Sequence, residues 1–271
     1  VVRDQSPEGA IVIDTASVGR RRWLQRALGA ASGLVLSGCN KLAQSPAVNS
    51  TLEQAEGLTR VVQRLLLGRH ALAPEYSASD ISAAFRANGT TDPGTDEYNR
   101  HVQTGFADWR LTVGGLVERP LELSLADLRQ IASRTQITRH DCVEGWSCIA
   151  KWGGARLSAV LQQARLKSNA RYIAFHCADS LELTPDGSGQ YYETIDLVDA
   201  MHPQTLLAYD MNDRPLTVRH GAPLRLRVER QLGYKMAKYV MRIEAIESFA
   251  GIAGGKGGYW EDRGYEWYAG I

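Results

Sequence analysis

The 271 residues are short of cysteine, of long apolar runs and of net charge, and each shortage removes a class of function. Four cysteines occur: Cys39, Cys142, Cys148 and Cys177. They form no CxxC pair, no CxxCH haem-attachment site and no zinc-type spacing, and they are too few and too unevenly placed for a disulfide scaffold. No stretch approaches the roughly 18 uncharged apolar residues that a bilayer-spanning helix needs. A chain of this kind that handles electrons therefore carries neither a haem motif nor a membrane domain for passing them on. The 31 Lys and Arg balance 30 Asp and Glu, a formal charge of +1. That balance provides no electrostatic reason to expect nucleic acid or an anionic membrane surface as the main partner. At 44% hydrophobic the chain has the means to bury a core of one large domain or two small ones.

The first forty residues read as an address. Arg20, Arg21 and Arg22 precede Trp23-Leu24-Gln25 and a modestly apolar run from Ala27 to Leu36, which is signal-peptide architecture. The arginine pair followed by an aromatic residue and Leu resembles a twin-arginine export signal. Leu36-Ser37-Gly38-Cys39 resembles a lipobox. On that reading residues 1–39 are removed up to a lipidated Cys39, and the protein sits in the periplasm on a lipid anchor. An amphipathic core helix and an ordinary cleaved signal are the alternatives. Residues 40–57, rich in Ser, Asn, Gln and Ala, read as a tether.

Apolar residues at 58, 61, 62, 65 and 66 recur at helical period, and residues 58–104 are expected to form an N-terminal helical segment with a second short helix near Ser79 to Phe85. Tyr98 to Ala107 is ambiguous. Trp109 to Val113 alternates as a strand, and Gly114-Gly115 reads as a tight turn. Ser124 is placed to cap a helix that runs to about Ala132. Strands are expected toward Cys142 and over Tyr172–Cys177, Tyr192–Ile195, Leu206–Tyr209, Leu224–Val228 and Lys238–Ser248, with helices over Leu157–Ala164 and Leu197–Met201. Short strands and helices without a βαβ repeat predict an α+β domain, a mixed single core over 105–250, followed by an aromatic tail at 251–271 that packs on it. The loop at 186–189 and the glycine-rich Gly251–Gly258 lack the strand–loop–helix setting of a phosphate cradle.

The stretch Arg139-His140-Asp141-Cys142-Val143-Glu144-Gly145-Trp146-Ser147 centres one thiol among charged and aromatic residues. Such a thiol is a buried structural cysteine, a reactive sulfur or a ligand for a soft metal. The run His140 to Ser147, continued by Lys151-Trp152-Gly153-Gly154, is similar to the cofactor segment of the sulfite oxidase fold, and within it to the periplasmic methionine sulfoxide reductase catalytic subunits. The likeness resumes at Asp199-Ala200-Met201-His202-Pro203 and at His220-Gly221-Ala222-Pro223-Leu224-Arg225. It ends with Leu232-Gly233-Tyr234-Lys235-Met236-Ala237-Lys238, so that it covers roughly 105–250 in order.

The resemblance implies a sulfite oxidase-type molybdopterin-binding fold and a mononuclear molybdenum centre with one pterin. It implies Cys142 as the metal ligand and Cys177, His220, Arg225, Met236, Ala237 and Lys238 as cofactor contacts. Arg225 and Lys238 suit a phosphate by charge and geometry. His140, Asp141 and His176 are candidate proton donors by nearness to the inferred metal, with salt-bridged or solvated roles as the alternative. His202 fits a family position or a satisfied core histidine. Asn99 stands roughly where the family has a pterin-contacting asparagine, in a poor match.

Sulfite-oxidising relatives carry an arginine pair four and five residues past the ligand cysteine. Here Trp146 and Ser147 stand there. The expected reaction is therefore oxygen-atom transfer that reduces an S-oxide or N-oxide, small or protein-borne, in preference to oxidising sulfite. Its electrons would come from an external partner, a membrane haem protein or a cytochrome c. A non-catalytic lipoprotein that retains the fold, a sulfite oxidase-like dehydrogenase and a metal-free thiol enzyme using Cys142 with Cys148 are the rival readings.

Overall fold

The computed structural model describes Gly57, residues 61–65, Gly68 and residues 70–184 and 189–271. The expected export signal, nearly all of the tether and the loop at 186–189, apart from Gly189, lie outside the described residues.

Residues 61–65 are helical, and Ala78–Asp80 form one 3-10 turn where a short helix is expected. The ambiguous stretch that follows becomes α1 (Asp96–Gln103), because Thr95 caps it by accepting the Tyr98 N–H and two acidic residues occupy its first turn. Tyr98 is buried and donates its hydroxyl to the Ala222 carbonyl at 2.6 Å, which fastens the helix to the core.

Two sheets carry the domain. One has the order β2 (Leu121–Leu123), β1 (Leu111–Gly115), β10 (Val240–Ile246), β5 (Tyr172–Ser180) and β6 (Gln190–Asp196). Only β1 and β10 run parallel in it, with Val113 level with Ile243. The second sheet has the order β3 (Ser133–Asp141), β4 (Ser147–Arg156), β7 (Leu206–Met211) and β8 (Arg214–Pro215), with β9 (Arg225–Arg227) also paired to β7. Ser124 caps α2 (Leu125–Gln130) in a reciprocal box with Asp127. The helix α3 (Leu157–Ala164) buries Leu157, Val160, Leu161 and Ala164, the spacing of one helical face. The short α4 (Leu197–Ala200) follows β6. This is the mixed α+β architecture that interspersed short elements predict.

Two glycine pairs depart from expectation for the same reason. Gly114-Gly115 ends β1 rather than making a turn between strands. A Cβ on Gly115, whose φ is 77°, would lie 2.3 Å from the Ala245 carbonyl oxygen of β10. The strand β4 is not apparent from the sequence, because Gly153-Gly154 interrupts its apolar pattern. A Cβ at Gly154 would stand 2.3 Å from the Leu207 carbonyl oxygen, so glycine is what lets β4 and β7 approach. In both cases the glycine marks a close backbone contact.

Candidate active site

Cys142 lies in the turn of the β3–β4 hairpin. Its N–H donates to the Trp146 carbonyl at 2.9 Å and its carbonyl accepts from the Gly145 N–H at 3.0 Å. Gly145 has φ 83°, the left-handed residue that closes a three-residue hairpin loop. This glycine serves the turn itself: no atom lies within 4 Å of the place its Cβ would take. The hairpin delivers Cys142, half-buried, to a cleft that it shares with Asn88, Asp179, Tyr191, Lys238 and Trp260. Burial pushes the Cys142 thiol above its ordinary pKa, which disfavours the free thiolate that a metal-free thiol enzyme would need. Cys148 and Cys177 are likewise free thiols.

One cation, Lys238, lines the cleft, and a second, Arg225, lies buried behind that lining with its guanidinium 4.9 Å from the Trp152 ring centroid. Arg225 on β9 is fully buried; its Nη1 donates to the His220 carbonyl at 3.1 Å, while Nε and Nη2 have no partner. Desolvation, then the neighbouring Arg227, brings its pKa down to about 9. Lys238 lines the cleft with its ammonium on the Thr90 carbonyl, and desolvation followed by Arg225 lowers it to about 7. Gly221, with φ 100°, sets the two side by side. A Cβ there would lie 2.9 Å from that of Lys238 and 3.3 Å from that of Arg225. Asp179, beside Lys238, is raised to about 6 by burial. Two buried cations with depressed pKa values and orphaned N–H groups mark a place built for an anion.

The other expected residues divide into those at the cleft and those behind it. Met236 lines the cleft. Ala237 is buried and accepts the Leu226 N–H at 2.8 Å, which ties the segment before Lys238 to β9. His220 does not line the cleft; it borders a separate pocket with Phe85 and Met211, and its buried Nδ1 has no hydrogen-bond partner. Cys177 is a fully buried thiol in the apolar core, and burial raises its pKa well above the usual value. Its carbonyl accepts from Gln190.

His140 and Asp141 do not line the cleft. His140 is 0% exposed, and its Nδ1 takes a 3.0 Å hydrogen bond from Arg227, itself paired with buried Glu229 at 2.6 Å. Burial and these cations hold the imidazole neutral, with its pKa well below normal. The Asp141 carboxylate accepts from Ser147 and from Arg139 Nε, and it borders a separate pocket with Thr138 and Arg139. Strand alternation turns Asp141 to the opposite face, while His140 is sealed from the cleft by packing against Phe85 and Trp146. His176 pairs with Glu244 at 3.1 Å. His202 is a satisfied core histidine, with Nε2 3.1 Å from the Ala71 carbonyl and Nδ1 accepting from Gln204 N–H. Asn99 lies on α1, and the cleft holds Asn88 instead, its buried Oδ1 without a partner.

The family described as the oxidoreductase molybdopterin binding domain matches residues 99–250. The chain belongs to that family. Among relatives, a protein of Azospira oryzae described as a candidate protein-methionine-sulfoxide reductase subunit, YedZ1, is 35% identical over 93% of this chain and 87% of its own length. The protein-methionine-sulfoxide reductase catalytic subunit MsrP of Xanthomonas axonopodis pv. citri is 31% identical over 89% of this chain and 74% of its own. The sulfane dehydrogenase SoxCD of Paracoccus pantotrophus matches 52% of this chain and 39% of its own at 23% identity, with a TM-score of 0.46. That likeness is too distant to bear on the chemistry.

The residues of this molybdopterin-binding oxidoreductase fit its molybdenum-bearing cofactor. The orphaned N–H groups of Arg225 and the ammonium of Lys238 match a phosphate. The Asn88 Oδ1 in the cleft is free to accept from a ring N–H group. No cluster of three or more His, Cys, Asp or Glu side chains converges among the described residues. A metal at Cys142 therefore takes further ligands from elsewhere, which suits a sulfur-bearing pterin. Asn88, Asp179 and Tyr191 also border the cleft, and nothing in their local sequence announces it. Asn88-Gly89 reads only as a turn.

Proposed function

We propose that this chain is an exported molybdopterin enzyme that reduces S-oxides, with methionine sulfoxide in proteins as the leading substrate. What carries the reading is the distribution of charge in the cleft. Lys238 is the cation in the cleft lining, with Arg225 buried behind it, whereas Val143, Glu144, Trp260 and Tyr265 also line the cleft that holds Cys142. A neutral, dipolar sulfoxide suits the aromatic residues of that lining better than an anion such as sulfite, and the nearby Arg86 is already paired with Glu144 at 3.5 Å. The names of the two relatives aligned over most of this chain support the same substrate class.

In this reading Cys142 ligates the molybdenum, Arg225 and Lys238 hold the phosphate, and Asn88, His220, Met236 and the backbone at Cys177 and Ala237 border the pterin. The bound cofactor supplies two-electron oxygen-atom exchange. The hairpin turn at Gly145 holds Cys142 at one position on a rigid strand pair, and this removes the need to order a loop during reaction. His140, neutral and locked between Arg227 and Met236, is a positioning residue beneath the hairpin. Asp141 fixes the same hairpin from its other face by bonding Ser147. Electrons arrive from a separate redox protein, a membrane haem protein or a cytochrome c, since the sequence has no haem-attachment motif. Residues 1–39 direct export to the periplasm, with lipidated Cys39 as the anchor. No helix among the described residues is long and apolar enough to cross a membrane.

The test is metal and pterin analysis of the exported protein, followed by turnover with a reduced dye. Stoichiometric molybdenum and faster turnover of methionine sulfoxide than of sulfite or N-oxides are expected. Loaded protein that oxidises sulfite and leaves S-oxides untouched would overturn the proposal.

A further inference from the structure

We infer that residues 259–265, outside the segment matched to the family, build with Tyr234 the pocket for the alkyl arms of a neutral S-oxide; this rests on the S-oxide reading above. Trp260 and Tyr265 stack with centroids 5.2 Å apart and planes at 29°, and Tyr234 meets Tyr265 edge-on at 5.2 Å. All three border the cleft that holds Cys142. Tyr265 stays 40% exposed, and Val143, next to the ligand cysteine, 44%. Apolar surface left open at a cleft mouth is the mark of a surface that receives something apolar.

The aromatic wall is held in place rather than loosely draped. The Tyr265 N–H donates to the Trp260 carbonyl at 3.0 Å, and the Tyr234 hydroxyl donates to the Glu266 carbonyl at 2.6 Å. Between Trp260 and Tyr265, Glu261 is buried and pairs with the Lys235 ammonium, which also binds Glu193. Fixed rings bind with less ordering entropy than mobile side chains do.

The chemistry of a dialkyl sulfoxide matches this wall. Its sulfur bears two alkyl arms and no net charge, and alkyl groups gain from burial against aromatic rings. A longer arm covers more ring and gains more burial. Methionine sulfoxide is thereby preferred over dimethyl sulfoxide, and sulfite, with no arm, gains nothing from the rings.

The experiment uses the full chain loaded with molybdopterin, with dye-linked rates expressed per bound molybdenum, and the variants Trp260→Ala, Tyr265→Ala and Trp260→Phe. The alanine variants are expected to lose about tenfold in kcat/KM for methionine sulfoxide, mostly through KM, and under about threefold for dimethyl sulfoxide. Trp260→Phe is expected to recover most of the loss. Calorimetric binding of methionine sulfone should weaken in parallel, which a merely structural role at the tail would not produce selectively. Equal losses for both sulfoxides, or none for either, would overturn the inference while leaving S-oxide reduction standing. A loaded wild-type protein that turns over no S-oxide would overturn the functional reading and this inference with it.

Discussion

At the scale of single residues, the site is defined by side chains whose surroundings contradict their ordinary chemistry. Cys142 is a thiol that burial keeps protonated, so its usefulness depends on a metal that displaces the proton. Replacing it should therefore separate binding from chemistry. Cys142→Ser is expected to abolish dye-linked turnover while pterin content, measured fluorimetrically after release, stays near wild type, because the phosphate contacts proposed for Arg225 and Lys238 are untouched. Retained turnover would remove Cys142 from the role of ligand. His140 illustrates the opposite case. Its type and position advertise a proton donor, yet it stands outside the cleft lining, and packing between Phe85 and Trp146 seals it in.

At the scale of elements, the hairpin β3–β4 and the tail at 259–265 bring groups to the cleft from positions more than a hundred residues apart. The tail is tied in by one ammonium between two carboxylates: Lys235, Glu193 and Glu261 all lie buried. One cation cannot neutralise both acids. Burial and then repulsion from Glu261 raise Glu193 well above the normal carboxyl pKa, so that the pair holds a proton. Lys235→Met is expected to destabilise the fold by about 3–5 kcal/mol near neutral pH, the range for stripping a partner from a buried ion pair. The sign of its pH dependence follows. Acids with raised folded pKa values lose stability as pH rises, so the deficit should shrink on acidification. Urea midpoints at about pH 5 and pH 8 would show this; an equal deficit at both would mean that the carboxyls are not the source.

At the scale of the whole molecule, a residue proposed to bind the cofactor opposes the stability of the cofactor-free protein. Lys238 is lowered to about 7 by burial and by Arg225, below its value in the unfolded chain. A depressed base binds fewer protons folded than unfolded, so its contribution is present at high pH and is lost as pH falls through about 7. The cofactor-free Lys238→Met protein is expected to unfold at a higher temperature than wild type at pH 7, with the gap closing toward pH 10. The same variant should lose pterin on purification, because the phosphate loses its point charge. A gap independent of pH, measured by thermal unfolding, would show that the ammonium is not the destabilising group. Filling the site with its anion should remove the pH dependence as well, since phosphate favours the charged lysine.

Sequence alone determined the local and the chemical parts of this protein. Caps such as Ser124 and the helical face of Leu157–Ala164 are set by neighbours a few residues away, and the ordered motifs around Cys142, Arg225 and Lys238 carry the family and its cofactor. Tertiary structure decided what depends on distant backbone. It turned Gly153-Gly154 into the middle of a strand, because the need for glycine there comes from Leu207, some fifty residues on. It put Asn88 rather than Asn99 at the cleft, and His140 behind it. Above all it brought Trp260 and Tyr265 beside Cys142, a juxtaposition made by buried ion pairs and packing across more than a hundred residues, which no local pattern encodes.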